Sequence, residues 1–166
     1  AFAAPGGIIG INLGMFLNTE REGELASVMC HELAHLSQRH FARSQNRNSP
    51  LANALMILGS IAVAAASRNP EAILIAPAAM QQMSINYTRS NEKEADRIGF
   101  NNLVKAGFDP NDMTMMFQRM QDKYQNEDSE QFSYLMTHPL PSERLTDMRI
   151  RSDSLKKSSK NLFRDN

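Results

Sequence analysis

The spacing of apolar residues predicts a long helix in the first third of the chain. An apolar series repeats there at intervals of three or four positions: Leu25, Val28, Met29, Leu33 and Leu36. This period places the side chains on one face of an α-helix. Thr19 followed by Glu22 matches a capping box, in which the two residues satisfy each other's backbone N–H groups. We therefore predict a helix over residues 20 to 44.

A different pattern precedes this helix. Residues 1 to 17 mix apolar and β-branched side chains with four glycines. Such a mixture favours short extended segments, and Pro5 followed by Gly6 and Gly7 is typical of a tight turn. We predict a small β-hairpin or sheet edge in this segment.

The segment from residue 51 to 88 carries only two charged side chains, Arg68 and Glu71. It opens with an Ala-rich apolar run, Leu51 to Ala66, that Gly59 interrupts. Such a run is marginal as a bilayer span. We predict a buried helical hairpin. Contact with a membrane surface or a partner is one alternative, and a transmembrane helix is another.

The residue pattern from position 91 onward predicts further helices. Residues 91 to 105 have a helical pattern that Gly107 ends as a left-handed cap. Asp109 and Pro110 suit the start of the next helix, and we predict C-terminal helices over residues 110 to 157. The expected fold is α+β and mainly helical, with a small N-terminal sheet, in one domain over residues 1 to 166.

A stripe of large apolar side chains marks one face of the helix after Pro110. The stripe consists of Met113, Met116, Phe117 and Met120. Methionine-rich faces fill irregular cores and also line adaptable binding grooves. We interpret this stripe as core.

Composition narrows the class of protein. Lysine and arginine total 18 against 18 acidic residues, so the net charge is zero and nucleic acid is an unfavourable partner. Cys30 is the single cysteine, so no disulfide can form within the chain. No signal peptide is visible, and the chain begins at Ala1 rather than Met, which leads us to expect a processed or excised fragment.

The most informative string is HELAH, which lies within the predicted helix and contains His31, Glu32 and His35. Residues four apart are separated by about 40° around a helix and about 6 Å along it, so both imidazoles face one ion. Glu32 lies about 100° around the axis from His31, where a carboxylate reaches a water on the metal rather than the metal itself. The string predicts metal-assisted hydrolysis. The alternative is an exposed helix on which two histidines are four residues apart by chance and have no function.

A catalytic zinc ion usually has three protein ligands. His40 faces away from His31 on the same helix, and we interpret it as a surface or capping histidine. Cys30 also points elsewhere and is expected to be a packed core thiol.

Carboxylates of the predicted helix over residues 91 to 105 offer the missing ligand. Glu92 and Asp96 share a face, whereas Glu94 points to the opposite side. We expect Glu92 to bind the metal and Asp96 to accept a hydrogen bond from a histidine that binds it. The alternative is a solvated acidic helix start. His138, before Pro139 and near Arg144, is by itself more typical of a structural histidine.

Four segments in order carry a family resemblance: AFAAPGG at residues 1 to 7, ELASVMCHELAH at 24 to 35, NEKEADRIG at 91 to 99 and THPLPSERL at 137 to 145. Together they resemble the gluzincin family of HtpX and the CAAX prenyl proteases, closest to its periplasmic branch. The resemblance spans nearly all of residues 1 to 152.

The resemblance implies specific roles for residues outside the HELAH string. Glu92 would be the third zinc ligand and Asp96 the carboxylate behind a ligand. His138 would lie near the metal, where it can occupy a fourth zinc position and hold the enzyme latent. Arg144 would help to stabilise the transition state.

The resemblance also implies a setting. Members of this branch act in the periplasm on misfolded or stalled outer-membrane proteins, near the outer-membrane assembly machinery. They usually carry a C-terminal tetratricopeptide-repeat domain, which we do not find within these 166 residues. Peripheral membrane contact would involve residues 51 to 88.

The sequence thus predicts a zinc-dependent endopeptidase with one zinc ion per chain and Glu32 as general base. Two other readings remain open. One is a latent or non-catalytic chaperone or assembly module, whose zinc site is closed by His138 and mainly structural. The other is a membrane-embedded protease that uses residues 51 to 66 as a span.

Overall fold

The structure is a computed structural model that describes residues 1–4, 6–47, 50–126, 135 and 138–162. Two compact units divide the chain: Ala1–Gln38 with Glu92–Asn166, and Arg39–Asn91. The second unit is therefore inserted in the sequence of the first. The expectation of a single domain stays a prediction. Pro5 of the predicted turn and residues 127–134 and 136–137 of the predicted C-terminal helices lie outside the described residues.

The first unit begins with the predicted hairpin. Strand β1 (Phe2–Ala4) pairs antiparallel with β2 (Ile8–Gly10), with Ala3 opposite Ile9. Gly6 and Gly7 both have positive φ in the connecting turn, which glycine adopts without steric cost. The hairpin packs against the helix that carries the HELAH string. The expectation of extended structure up to residue 17 is wrong, because Leu13–Asn18 forms helix α1.

The helix predicted over residues 20 to 44 is two helices. Helix α2 covers Glu22–Ser37 and α3 covers His40–Arg47. Arg39 between them has a φ of 55°, a left-handed conformation that an α-helix cannot contain. No glycine or proline marks this break in the sequence, so helical periodicity alone predicted that the helix continues.

The predicted capping box at the start of α2 is wrong. The N-cap is Arg21, and no side chain caps the helix. Glu24 instead accepts a hydrogen bond from the backbone N–H of Glu20 at 2.8 Å. The buried Glu24 carboxylate also pairs with Arg119 at 3.0 Å. Glu24 thus bonds to the backbone just before the helix, and Arg119 holds its carboxylate.

The buried face of α2 is largely polar. Glu24, Ser27 and His31 are buried beside Val28. Two residues of the apolar series, Met29 and Leu33, are 43% and 47% exposed, so the series does not form one buried face of the helix. The helix turns these polar residues inward, and apolar side chains occupy part of the opposite face.

Helix α6 (Asn111–Asn126) supplies the centre of the hydrophobic core. The methionine stripe is fully buried, which confirms its interpretation as core. Helix α6 packs against both α2 and the last helix, α7 (Ser142–Leu162). Helix α7 continues beyond residue 157, where the C-terminal helices were expected to end.

Helix α5 (Ile75–Lys105) is twice as long as the helix predicted over residues 91 to 105. Its C-terminus is as predicted. Gly107 has a φ of 86°, its N–H donates to Val104 and the N–H of Phe108 donates to Leu103, a Schellman motif. The partly buried Phe108 ring packs against the core.

The second unit contains α3, α4 (Pro50–Ser67), a 3-10 helix (Pro70–Leu74) and the first half of α5. The helical content predicted for residues 51 to 88 is confirmed. The prediction that this helical region is buried is wrong, since many of its large apolar side chains are exposed: Leu51, Leu55, Leu58, Ile61, Val63, Leu74 and Met83. None of the described helices is long and apolar enough to cross a membrane.

His40 at the start of α3 is 4% exposed. Its interpretation as a surface histidine is therefore wrong.

Candidate metal centre

Helix α2 presents the two histidines of the HELAH string on one side. The Nε2 atoms of His31 and His35 lie 3.0 Å apart. His31 is completely buried, and His35 is partly exposed. The helical spacing of four residues produces this approach, as the sequence predicted.

Helix α5 brings a carboxylate to both imidazoles. One oxygen of Glu92 lies 3.3 Å from Nε2 of His31, and the other lies 3.3 Å from Nε2 of His35. One turn further along α5, Oδ1 of Asp96 lies 3.0 Å from Nδ1 of His31. Asp96 therefore fixes the side of the His31 ring that faces away from Glu92.

The connector before α7, residues 138–141, contributes a third imidazole. Nδ1 of His138 lies 3.0 Å from Oε1 of Glu92, and Nε2 lies 3.4 Å from Oε1 of Glu32. Its ring centroid is 5.3 Å from that of His31 and 5.0 Å from that of His35. The structure thus places His138 between Glu92 and Glu32.

These side chains form a group that fits a metal ion. One donor atom from each of His31, His35, Glu92 and His138 lies within 4.8 Å of the others. Two ligand atoms about 2.0–2.1 Å from one ion in tetrahedral geometry are separated by about 3.3 Å. The separations of 3.0 and 3.3 Å among His31, His35 and Glu92 are close to this value. Cys30, His40 and Glu94 do not belong to this group.

Glu32 is the feature that a purely structural cluster does not explain. Its side chain is 0% exposed, and neither carboxylate oxygen has a hydrogen-bond partner among the described residues. An unsatisfied buried carboxylate is costly, and such groups in native proteins commonly mark a functional site. A water or substrate beside the metal would supply the missing donor.

Burial and hydrogen bonding oppose each other in the site. Burial lowers the pKa of His31, but hydrogen bonds to Asp96 and Glu92 outweigh it and raise the pKa to about 9. Burial opposes ionisation of Glu92, yet hydrogen bonds from the three imidazoles hold its pKa well below the usual range. Asp96 likewise has a lowered pKa, because hydrogen bonds from His31 and Arg144 exceed the effect of its burial. Burial lowers the pKa of His35.

Sequence reasoning missed Gly99, which lies at the contact between α5 and α2. A Cβ built on Gly99 would be 3.0 Å from both Cα and N of His31. Glycine at this position lets the two backbones approach closely enough for Glu92 and Asp96 to reach the histidines. The available signal was a glycine three residues after Asp96, on the same face of an otherwise helical segment.

The chain matches Peptidase family M48 over residues 1–152. It is 49% identical over 157 residues to a Vibrio cholerae protein provisionally named beta-barrel assembly-enhancing protease, covering 92% of this chain and 32% of that protein. It is 40% identical over 165 residues to the beta-barrel assembly-enhancing protease of Escherichia coli K12, covering 94% of this chain and 33% of that protein.

A more distant relative is the mitochondrial metalloendopeptidase OMA1 of Schizosaccharomyces pombe, 29% identical over 145 residues, with 87% of this chain and 41% of that protein covered. The chain spans about a third of the length of the two bacterial relatives. The family match covers most of the chain and includes all four residues of the group that fits a metal ion. This chain therefore belongs to peptidase family M48.

Proposed function

We propose that this protein is a zinc-dependent endopeptidase whose metal is held by His31, His35 and Glu92. The observation that carries the proposal is the position of Glu32, a buried carboxylate without a hydrogen-bond partner on the helix that presents both imidazoles. Two histidines and one carboxylate are a ligand set of catalytic zinc, which keeps a further position for water or substrate.

Zinc in such a site supplies Lewis acidity, which activates water as a nucleophile and polarises a carbonyl. Glu32 acts as general base, because its buried oxygens accept no hydrogen bond from the described residues and can take the proton that the attacking water loses. The same carboxyl group then delivers this proton to the leaving amine. Asp96 orients His31 through the Nδ1 atom and so fixes which nitrogen faces the metal.

His138 controls access to this arrangement. Its Nδ1 contacts Glu92, and its Nε2 lies 3.4 Å from the proposed base Glu32. A histidine in this position occupies the space that substrate needs, either as a fourth ligand or beside the other three. Displacement of the connector would open the site, and the histidine could then donate a hydrogen bond to the oxyanion of the transition state.

Extended polypeptides are the substrates that the surroundings of the site favour. The described sheet has two strands, so each strand has an edge that no other described strand pairs. A peptide added to such an edge is bound through its backbone, which accepts many sequences. Phe2 and Ile8 are exposed on this hairpin and offer apolar contacts.

The biological setting follows from the relatives. Two of them are named for enhancing beta-barrel assembly, so we assign misfolded or stalled outer-membrane proteins as substrates and the periplasm as the compartment. The outer-membrane assembly machinery is the corresponding partner. The exposed apolar side chains of α4 would provide peripheral membrane contact.

A second candidate function is favoured by His138. It brings a fourth donor to the group, and a zinc ion with four protein ligands is typical of structural sites. In this case the protein is a latent enzyme or a non-catalytic chaperone or assembly module.

Glu32→Gln tests the proposed catalytic role. The variant should retain zinc and lose cleavage of casein, used as an unfolded substrate, by about 10²–10⁴-fold, because an amide cannot act as the base. Glu22→Gln changes an exposed position in the same helix and should leave both properties unchanged. Undiminished cleavage by Glu32→Gln, with normal zinc content, would remove Glu32 from the mechanism.

A further inference from the structure

Arg144 forms several buried hydrogen bonds and ion pairs beside the group that fits a metal ion. Nε and Nη2 donate to the two oxygens of Asp96, each at 2.7 Å, as a bidentate pair. Nη1 lies 2.9 Å from Oε2 of Glu92 and donates to the carbonyl oxygen of Pro139 at 2.6 Å. The side chain is 4% exposed.

A contact with the core also holds the guanidinium group in place. Its central carbon lies 5.2 Å from the ring centroid of Phe117, within the range of a cation–π contact. Phe117 belongs to the buried core stripe of α6. Arg144 is thus held between the core and the site, and its nitrogens point at protein oxygens from two other segments.

This arrangement differs from that of an arginine that stabilises an oxyanion on the substrate. An arginine that stabilises a developing oxyanion keeps N–H groups directed at the place where that charge forms. All three nitrogens of Arg144 already contact Glu92, Asp96 or Pro139. A substrate would have to compete with buried, charge-assisted hydrogen bonds, which are among the strong ones in proteins.

We infer that Arg144 is a positioning residue that sets the ligand carboxylate Glu92, the carboxylate Asp96 behind His31, and the His138 connector as one unit. This inference rests on the proposed zinc site. The bidentate pair fixes Asp96, which in turn orients His31. The contact from Nη1 to Glu92 fixes the carboxylate that faces the ion.

The hydrogen bond to Pro139 gives this role a second part. Pro139 directly follows His138, so the same nitrogen that contacts Glu92 also holds the backbone of the connector. Arg144 therefore couples the geometry of the metal ligands to the position of His138. A lysine cannot replace it, since a single ammonium group cannot form the planar fork that spans both carboxylates.

The test measures zinc affinity and ligand geometry in the full chain, separately from activity. Arg144→Lys and Arg144→Gln should each weaken Zn²⁺ binding, measured by competition with a chromogenic chelator, by about 10–100-fold. The visible absorption spectrum of the Co²⁺-loaded protein should also change, because it reports the number and arrangement of ligands. Arg151→Lys and Arg151→Gln are matched controls on α7, where Arg151 pairs with Asp147, and should leave affinity and spectrum unchanged.

A role in transition-state stabilisation would give a different pattern. In that case the Arg144 variants would bind Zn²⁺ with unchanged affinity, show an unchanged Co²⁺ spectrum and lose only kcat when fully loaded. This result would overturn the inference and leave the proposed endopeptidase intact. If the wild-type chain itself neither binds Zn²⁺ nor cleaves casein, the proposed function fails and the inference fails with it.

A double substitution keeps the inference testable if Arg144→Gln alone does not fold. Combining Arg144→Gln with Asp96→Asn replaces the buried ion pair by a neutral pair that can still form hydrogen bonds. The double variant should bind Zn²⁺ more weakly than Asp96→Asn alone, because it also loses the contact from Arg144 to Glu92 and the hydrogen bond to Pro139. A double variant that binds Zn²⁺ as tightly as Asp96→Asn would show that Arg144 does not set Glu92 and would contradict the inference.

Discussion

Gly99 of α5 lies directly against the backbone of His31 in α2. A Cβ on Gly99 would be 3.0 Å from both Cα and N of His31, closer than real Cβ atoms normally approach backbone. Because helical backbone cannot yield as a flexible side chain can, α5 would have to move away from α2. Such a movement would carry Glu92 and Asp96 away from the imidazoles that they contact.

Gly99→Ala should therefore weaken metal binding although Gly99 has no side chain that could bind the metal. We expect lower Zn²⁺ affinity and a loss of stability of about 1–3 kcal/mol, the usual cost of forcing an extra carbon into a packed contact. Chelator competition and urea unfolding measure the two effects.

Gly59→Ala is the matched control for Gly99→Ala. Gly59 also lies inside a helix, but nothing is within 4 Å of a Cβ built there. This change should raise stability by about 0.5–1 kcal/mol, because alanine is the better helix former. Equal behaviour of the two variants would contradict the packing argument for Gly99.

Removal of metal should lower the melting temperature of the wild-type chain. At a free zinc concentration about 100-fold above Kd, binding adds about 2.7 kcal/mol to the stability. For a chain of this size, this corresponds to a shift in Tm of about 5–10 °C. Calorimetry with and without a chelator measures the shift.

Two glutamate substitutions separate specific from general effects on the Tm. Glu92→Gln should remove most of the zinc-dependent shift, since it takes away a charged ligand. Glu143→Gln affects only an exposed pair with Lys93 and should retain the shift. A wild-type Tm that is independent of zinc would be inconsistent with the proposed site.

Zinc affinity should rise with pH across the neutral range. The pKa of His31 is raised to about 9 in the metal-free chain, so this imidazole carries a proton at pH 7 that the metal must displace. Glu92 is already ionised, because its pKa is lowered. The pKa of His35 is also lowered, so this imidazole is neutral near pH 7 and has no proton for the metal to displace. His31 thus accounts for a slope of about one in log affinity against pH between about pH 7 and about pH 8.5.

Calorimetric titrations in buffers of different ionisation enthalpy measure the proton release directly. The contribution of His31 should be about one proton per zinc at pH 7.5. Asp96→Asn removes one of the groups that raise the pKa of His31, and its proton release at pH 8 should be smaller. An unchanged release in this variant would show that Asp96 does not control the imidazole.

His138→Ala distinguishes the two candidate functions. If His138 blocks an active enzyme, the variant should retain zinc on the other three ligands and cleave casein several-fold faster than the wild type. If the site is structural, the variant should lose zinc and stability without any gain in cleavage. Zinc content, Tm and casein cleavage, measured on one preparation, decide between these outcomes.

The sequence determined the local parts of the site with little ambiguity. A spacing of four residues in a helix brings His31 and His35 together whatever the surrounding fold, and the same spacing places Glu92 and Asp96 on one face of α5. The Schellman cap at Gly107 and the hairpin at the N-terminus are equally local, because each depends on residues next to each other in the chain.

Only the tertiary structure decided what depends on distant residues. The break at Arg39 has no local signal, and the carboxylate of Glu24 is held by Arg119 from another helix. The approach of α5 to His31 depends on the missing side chain of Gly99, and the bonds of Arg144 to Asp96 and Pro139 join segments that are far apart in sequence or lie in a connector. Helical periodicity determines which side chains share a face, but packing determines which faces meet.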